Sequence, residues 1–311
     1  MTETNKTARA LPVLFALGGV WGASFLFIKV IVDETGPLEL VAGRMFFGAL
    51  SVGLFALYRR LPVPIQPRLI ASATVLALVG NVVPFGLIAW GEEHIDSGTA
   101  SVLNSTVPIF TALFAAALLE DEHFTAARLG GLLLAMSGII VLTGSDVLHI
   151  TDSSVLGQIA VIAAAACYGI AAVVARTLLR SQDPVGLSVI QLSMGTLLVI
   201  PALFVISGTP DYSLSLEAAA SLAALGVLGT GFGYIAYLWL IGNVGSVRAS
   251  LVTYIVPVIA LVLGWLVLDE SVGLNTIAGA ALIVVGVASV MRGQAPARAR
   301  LGGPPEAVAL E

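Results

Sequence analysis

The chain has 311 residues, of which 58% are hydrophobic and only 11% are charged. Soluble domains carry about 25% charged residues, so this chain cannot cover a water-exposed exterior and we expect lipid to be its main solvent. The net charge of −5 excludes few classes of function, because in a membrane protein the position of each charge matters more than the sum. The single cysteine, Cys167, excludes an internal disulfide and a multi-cysteine metal site.

Apolar runs separated by turn formers and charges divide the chain into candidate membrane helices. A bilayer core requires roughly 20 apolar residues per helix. Breaks such as "DETGP" and "RRLPVPIQPR" hold residues that a bilayer interior penalises. The sequence therefore predicts an all-α polytopic membrane protein with ten spans: 10–32, 37–58, 69–90, 96–119, 127–144, 155–177, 184–206, 216–241, 248–268 and 274–291.

The basic residues predict which way these spans face. With the N-terminus in the cytoplasm, every lysine and arginine except Lys29 and Arg44 lies in a cytoplasmic segment or at an adjoining helix end. The exterior loops then hold acids such as Asp33, Glu92 and Asp269. We therefore expect both termini in the cytoplasm (N-in/C-in), with 1–9 as a cytoplasmic segment and 292–311 as a disordered cytoplasmic tail.

A shift of 147–149 residues brings the two halves of the chain into register. Pro108 then aligns with Pro257 and Gly80 with Gly229, while Lys29 aligns with Arg176. The repeats are 10–144 and 155–291, joined by an exterior linker at 145–154. Because each repeat has an odd number of spans, the second must enter the membrane from the opposite side. Inverted repeats of this kind are typical of transporters, with the substrate site between them.

The matching tracts "SVLNSTVPIFTALFAAALLEDE" and "SLVTYIVPVIALVLGWLVLDES", with the opening "GGVWGASFLFIK", resemble a known family. They are similar to the paired EamA domains of the drug/metabolite transporter superfamily. That resemblance covers roughly residues 10–291 and implies a ten-helix exporter whose central pathway is walled by helices 1, 3, 4, 6, 8 and 9. Within the superfamily, the chain most resembles bacterial YddG-type exporters of aromatic amino acids.

Two predicted helices carry polar residues at spacings of three and four, which places them on one face. Small polar residues commonly hold membrane helices together, and they also line solute pathways. We favour a pathway, because the stripe is duplicated and each copy contains a proline that frees a backbone carbonyl. The residues are Ser101, Asn104, Ser105, Pro108 and Thr111 in the fourth helix, and Ser250, Thr253, Tyr254 and Pro257 in the ninth.

Aromatic residues also pair across the repeat, and such walls suit flat, largely apolar solutes with a few polar groups. Trp90 and Trp239 align near span ends, where tryptophan commonly anchors at the membrane interface. The other pairs are better candidates for the pathway, together with the nearby polar residues Ser24 and Asn81. These aromatic candidates are Trp21, Phe85, Tyr168, Tyr234 and Tyr237.

Charged residues inside or beside the spans are the candidates for gating. Lys29 and Arg176 lie near helix ends and can extend to the headgroups. Arg44 lies deeper, and three roles are open to it: pairing with Glu39, pairing with an exterior acid, or binding a substrate carboxylate. His94 either titrates or is simply solvated in its loop. No Asp or Glu lies in the middle of a span, which favours facilitated diffusion or weak coupling over tight proton antiport.

These features together predict an exporter of amino acids and related metabolites that works by alternating access in the bacterial inner membrane. A proton-coupled efflux carrier is the first alternative. An intramembrane enzyme is disfavoured because His94, His123 and His149 lie in separate loops, and a channel because no selectivity ring is evident. We expect a monomer that needs no cofactor, metal or nucleic acid, and no ATP, since a phosphate-binding loop is absent.

Overall fold

The computed structural model describes residues 3–118, 126–143, 152–178, 182–210 and 212–292. All regular structure in these ranges is helical, so the prediction of an all-helical chain is confirmed there. The predicted cytoplasmic tail from 293 and most of the predicted linker, 145–151, lie outside the described residues. The helices are α1 (Glu3–Val32), α2 (Pro37–Tyr58), α3 (Pro67–Glu92), α4 (Ser97–Leu118), α5 (Ala126–Thr143), α6 (Ser153–Leu178), α7 (Pro184–Ile206), α8 (Leu216–Val244), α9 (Ser246–Val267) and α10 (Leu274–Arg292).

In the described part of the chain, eight of these helices are long and apolar enough to cross a membrane. The other two, α5 and α10, have shorter apolar stretches at Leu129–Leu142 and Leu274–Gly286. They pack against each other, and Gly138 of α5 lies directly against the backbone of Gly279 in α10.

Close helix contacts recur at positions related by the sequence repeat. Gly22 of α1 faces Ile259 of α9, and a Cβ at Gly22 would lie 2.5 Å from that of Ile259. Gly169 of α6 faces Phe110 of α4, where a Cβ would lie 2.6 Å from that of Phe110. Gly169 is the repeat partner of Gly22, and Ile259 is that of Phe110. The absence of a side chain at these glycines lets the helix backbones approach closely.

Four helices depart from regular α geometry, and they do so in repeat-related pairs. A π-helical segment interrupts α3 at Leu78–Val82 and α8 at Leu225–Phe232. Helix α4 breaks between Asn104 and Val107, and α9 contains a 3₁₀ segment at Ser250–Tyr254. Both breaks lie within one helical turn before the aligned prolines, which lack the N–H that would bond the carbonyl four residues earlier. These are the places where the helices can bend.

One end of the bundle, which we call the acidic end, contains the loops 33–36, 93–96, 212–215 and 268–273. The Glu34 carboxylate accepts hydrogen bonds from the backbone N–H and the hydroxyl of Ser215, at 2.7 and 2.6 Å. The Glu270 carboxylate accepts from the backbone N–H groups of Ser97 and Gly98 at 2.8 and 3.1 Å. These bonds tie loops of the two halves together at the acidic end.

Candidate functional site

A cavity of about 60 Å³ lies between helices of both repeats. A water molecule needs roughly 10–15 Å³ of such space, so the cavity holds only a few waters in this conformation. Its walls are mainly aromatic and aliphatic, with a small number of polar groups, as is usual for small-molecule sites. The lining residues are Trp21, Ser24, Phe25, Ile28, Arg44, Phe85, Ile88, Asn104, Val107, Tyr168, Tyr234, Tyr237, Thr253 and Val256.

Arg44 is the only lysine or arginine among these lining residues, and it is only 5% exposed. Its Nε donates to the Thr230 hydroxyl at 2.7 Å, and its guanidinium carbon lies 3.5 Å from the centroid of the Phe85 ring. Among the described residues no carboxylate lies within salt-bridge distance of this group, so neither Glu39 nor an exterior acid is its partner here. Arg44 is therefore a buried cation held by a hydroxyl and an aromatic face.

The cavity aromatics form one cluster that bridges the two repeats. The Trp21 ring centroid lies 5.1 Å from that of Tyr237, and the Phe85 centroid lies 6.3 Å from that of Tyr234 and 6.4 Å from that of Tyr168. These spacings are those of favourable aromatic pairs. The structure thus brings together five of the six aromatic residues predicted for the pathway, and the sixth, Tyr254, does not line the cavity.

Two of these aromatic residues also hydrogen-bond to the π-helical segments. Trp21 Nε1 donates to the Gly229 carbonyl at 2.8 Å, and the Tyr234 hydroxyl donates to the Gly80 carbonyl. The two glycines are repeat partners, and each bond runs from one repeat to the other. Single π-helical turns frequently mark functional sites, because they leave backbone groups without their usual helical partner.

Asn104 and Thr253 line the cavity from the breaks in α4 and α9, and they are repeat partners. The Thr253 hydroxyl bonds to the Ser250 carbonyl of its own helix at 2.8 Å. Asn104 is buried, and its side-chain oxygen has no hydrogen-bond partner in the described part of the chain. A buried acceptor without a partner is costly, so this amide is available to a bound solute.

The other predicted stripe residues lie outside the cavity lining. The hydroxyls of Ser101, Ser105 and Ser250 each donate to a carbonyl three residues earlier, at 2.6 to 2.7 Å. Asn81 accepts from the Gln191 side chain at 2.6 Å and so joins α3 to α7. The predicted residues that do not line the cavity in this conformation are Asn81, Ser101, Ser105, Pro108, Thr111, Ser250, Tyr254 and Pro257.

The remaining charged candidates also lie away from the cavity. The Lys29 ammonium donates to the Glu92 main-chain carbonyl at 2.7 Å and lies 3.8 Å from the Asp33 carboxylate. His94 Nδ1 lies 2.9 Å from the Trp90 carbonyl oxygen, and the centroids of the His94 and Trp90 rings are 4.6 Å apart. Arg176 is half-buried in the last turn of α6. Lys29 therefore has hydrogen-bonding and ionic partners within the protein in this conformation.

Three buried residues were missed by the sequence reasoning: Thr230, Gln191 and Glu92. Thr230 is a lone hydroxyl in a glycine-rich stretch, a signal that could have been noticed. Glu92 has 0% exposure, although its position in an acidic loop sequence predicted an exposed side chain. In the described residues, no group of three or more His, Cys, Asp or Glu side chains is arranged to hold a metal ion.

Some acids in the acidic-end loops have shifted pKa values. Burial raises the pKa of Asp96, and the negative charge of Glu270 raises it further. Burial also raises the pKa of Glu93. The hydrogen bonds from Ser215 lower the pKa of Glu34. The loops at this end therefore contain acids that titrate over different pH ranges.

The EamA-like transporter family matches this chain twice, over residues 9–144 and 155–292. The chain belongs to the EamA-like transporter family. Relatives include the uncharacterized transporter YoaV of Bacillus subtilis (strain 168), which is 30% identical over 86% of this chain and 91% of its own length. EamA membership shows that the chain is a membrane transporter, in agreement with its apolar helices.

Two further comparisons concern a curated relative and a solved structure. A "probable terminal-alkyne amino-acid exporter" of Streptantibioticus cattleyicolor is 26% identical over 92% of this chain and 95% of its own length. A solved crystal structure superposes with a TM-score of 0.69 at 19% identity, covering 92% of this chain and 98% of the other. The structural similarity shows that this chain and the solved structure share a fold.

Proposed function

We propose that this transporter exports amino acids and related small carboxylates across the bacterial inner membrane. In this proposal all ten helices span the membrane, both termini are cytoplasmic, and the acidic end faces outward. The observation that carries it is Arg44, a buried cation at the central cavity with no carboxylate within salt-bridge distance among the described residues. Aromatic rings around it provide apolar surface for a side chain.

Arg44 supplies a positively charged guanidinium group whose N–H donors can bind a carboxylate. Its Nε–H is already bonded to Thr230 and one face of the guanidinium lies on Phe85, which fixes the orientation of the group. Arginine has five N–H donors, so the donors on its two terminal nitrogens remain for a bidentate bond to a carboxylate. A lysine would present a point charge instead and would lose the stacking on Phe85.

The other polar groups complement the rest of an amino acid. The free side-chain oxygen of Asn104 is an acceptor for the ammonium group, and Trp21, Tyr168 and Tyr237 would surround an aromatic or aliphatic side chain. A site that pairs each polar group of its substrate discriminates strongly against analogues that lack one. The amino-acid exporter among the relatives is in keeping with this chemistry.

Transport requires the cavity to expand, because about 60 Å³ does not admit an amino acid. The π-helical segments of α3 and α8 and the breaks in α4 and α9 lie beside the cavity in both repeats. Bending at these points would open one side of the site and then the other, which is alternating access between inverted repeats. The transporter would act as a monomer, since the two repeats already form the complete site.

Purified protein in liposomes tests this function. We expect saturable counterflow of a labelled aromatic amino acid that unlabelled amino acid competes and ATP leaves unchanged. Arg44→Gln should abolish it, while Arg59→Gln, at an exposed loop arginine, should preserve it. Flux that rises linearly with concentration would favour a channel, and formation of a chemical product would favour an enzyme. Equal counterflow in the two variants would overturn the proposed role of Arg44.

A further inference from the structure

Glu92, the last residue of α3, is a carboxyl group that the proposed site leaves unused. The residue has 0% exposure, and neither of its side-chain oxygens has a hydrogen-bond partner among the described residues. Burial of an ionised carboxylate without partners is strongly unfavourable. The arrangement in this structure is therefore that of a neutral carboxylic acid.

The nearest cation is bonded elsewhere. The Lys29 ammonium donates to the main-chain carbonyl of Glu92 and lies near Asp33, but it is not within salt-bridge distance of the Glu92 carboxyl. If Glu92 lost its proton, the new carboxylate would compete for this ammonium. Lys29 is on α1 and Glu92 is on α3, so such an exchange would shift these two helix ends relative to each other.

Some of the charges around Glu92 favour an ionised carboxylate at this position, and others disfavour it. The carboxylates of Glu270, in the α9–α10 loop, and Asp33, after α1, repel a negative charge there, while Lys29 of α1 and Arg44 of α2 attract it. On the α6 side, the adjacent Gly91 packs against Gly157 and Val161, which are uncharged. The following loop adds the titratable neighbours Glu93, His94 and Asp96.

Glu92 lies one helical turn beyond the central cavity along α3. Ile88 lines the cavity from α3, and Glu92 follows it by four residues and so lies on the same helix face. Ile28 lines the cavity from α1 and directly precedes Lys29. The same two helices thus contribute to the apolar wall of the cavity and carry Lys29 and Glu92 next to it.

We propose that Glu92 is the proton-binding group of this transporter and exchanges a proton for each solute exported. This proposal rests on the proposed function. In this proposal the cavity expands around a solute by separation of α1 and α3 at Ile28 and Ile88, and this movement brings water to Glu92. The carboxyl then releases its proton to that water, and Lys29 pairs with the resulting carboxylate. Solute and proton therefore exclude each other, as exchange requires.

Liposomes with a pH gradient and the membrane potential clamped at zero test the exchange. With an acidic interior, wild-type protein should accumulate labelled amino acid by about tenfold per pH unit for one proton exchanged, since both correspond to the same free energy. Glu92→Gln, which mimics the neutral acid and has no proton to release, should not accumulate the solute in response to the gradient, and its counterflow should be slower than that of wild type. Glu93→Gln, at the exposed neighbour, should accumulate like wild type.

If Glu92→Gln accumulated the solute as strongly as wild type, the proposal would be overturned. It would also be overturned if wild-type transport did not respond to the pH gradient, but amino-acid export itself would then still stand. A measurement made without solute tests the proton site at Glu92 independently of amino-acid transport. The infrared carbonyl band of a neutral carboxylic acid should be present at neutral pH in wild type and Glu93→Gln, and be absent from Glu92→Gln. Identical bands in all three proteins would exclude Glu92 as the proton site even if no amino acid were transported.

Discussion

The indole N–H of Trp21 donates to the backbone carbonyl of Gly229 at 2.8 Å, across the boundary between the two repeats. The hydroxyl of Tyr234 donates to the carbonyl of Gly80 in the opposite direction. Both carbonyls belong to π-helical segments, and both aromatic rings line the central cavity. Each π-helical segment is therefore stabilised by a side chain of the other repeat.

Replacing Trp21 tests whether this bond stabilises the fold. Trp21→Phe keeps an aromatic ring but removes the donor, which leaves the buried Gly229 carbonyl without its partner. The expected loss of stability is about 1–3 kcal/mol, the cost of an unpaired buried group. Thermal unfolding in detergent would measure it, with Trp90→Phe at a partly exposed tryptophan as the control. Equal stability of the two variants would show that the bond contributes nothing.

Gly169 should tolerate no side chain, because α4 lies directly against it. In Gly169→Ala the new Cβ would approach the Phe110 Cβ to 2.6 Å, so the helices must separate or strain, at a cost of about 1–3 kcal/mol. Gly86→Ala on α3 meets no atom within 4 Å, and there the helix propensity of alanine should be neutral or favourable. A stable Gly169→Ala protein would contradict the close α4–α6 contact.

Thr230 should control how tightly a carboxylate binds, although it does not line the cavity. Thr230→Val keeps the shape but removes the acceptor that orients the Arg44 guanidinium. Hydrogen bonds to charged groups are worth about 1.5–3 kcal/mol, so the half-saturation concentration in counterflow should rise roughly 10- to 100-fold. Thr196→Val, which removes a hydroxyl bonded within its own helix, should leave it unchanged. A similar effect in both variants would point to general destabilisation.

The Glu34–Ser215 bonds should stabilise the acidic end in a pH-dependent way. Since Ser215 lowers the pKa of Glu34 in the folded protein, the contribution is complete above the ordinary glutamate pKa and is lost as pH falls through the lowered value. The melting temperature of wild type should therefore exceed that of Glu34→Gln at neutral pH and converge with it in acid. Glu217→Gln, at another exposed acid, serves as the control. A difference that grows in acid would contradict this sign.

The repeat explains why much of the cavity could be predicted from the sequence. Aligning the halves identified Trp21, Tyr168, Phe85 and Tyr234 together, because residues on equivalent helix faces converge about the same axis. The polar stripe was harder to interpret. The breaks before Pro108 and Pro257 change the direction of each helix face, so the cavity receives Asn104 and Thr253 but not their stripe neighbours.

Pairings between distant segments could not be predicted in the same way. Arg44 and Thr230 are 186 residues apart, and nothing in either local sequence indicates the other. Glu92 belongs to an acidic run at a helix end, a pattern typical of solvated loops. Its burial arises because α1, α2 and α6 all pack around the end of α3, and that is a property of tertiary structure alone.

Competition by an amino acid and by its amide tests the role of Arg44 most directly. Phenylalanine and phenylalanine amide share the ring and the amino group, but only the acid carries a carboxylate for Arg44. We predict that unlabelled phenylalanine inhibits wild-type counterflow of the labelled amino acid, whereas the amide inhibits more weakly, by roughly tenfold or more, because it lacks the charged group that Arg44 binds. Equal inhibition of wild type by acid and amide would contradict carboxylate binding at Arg44.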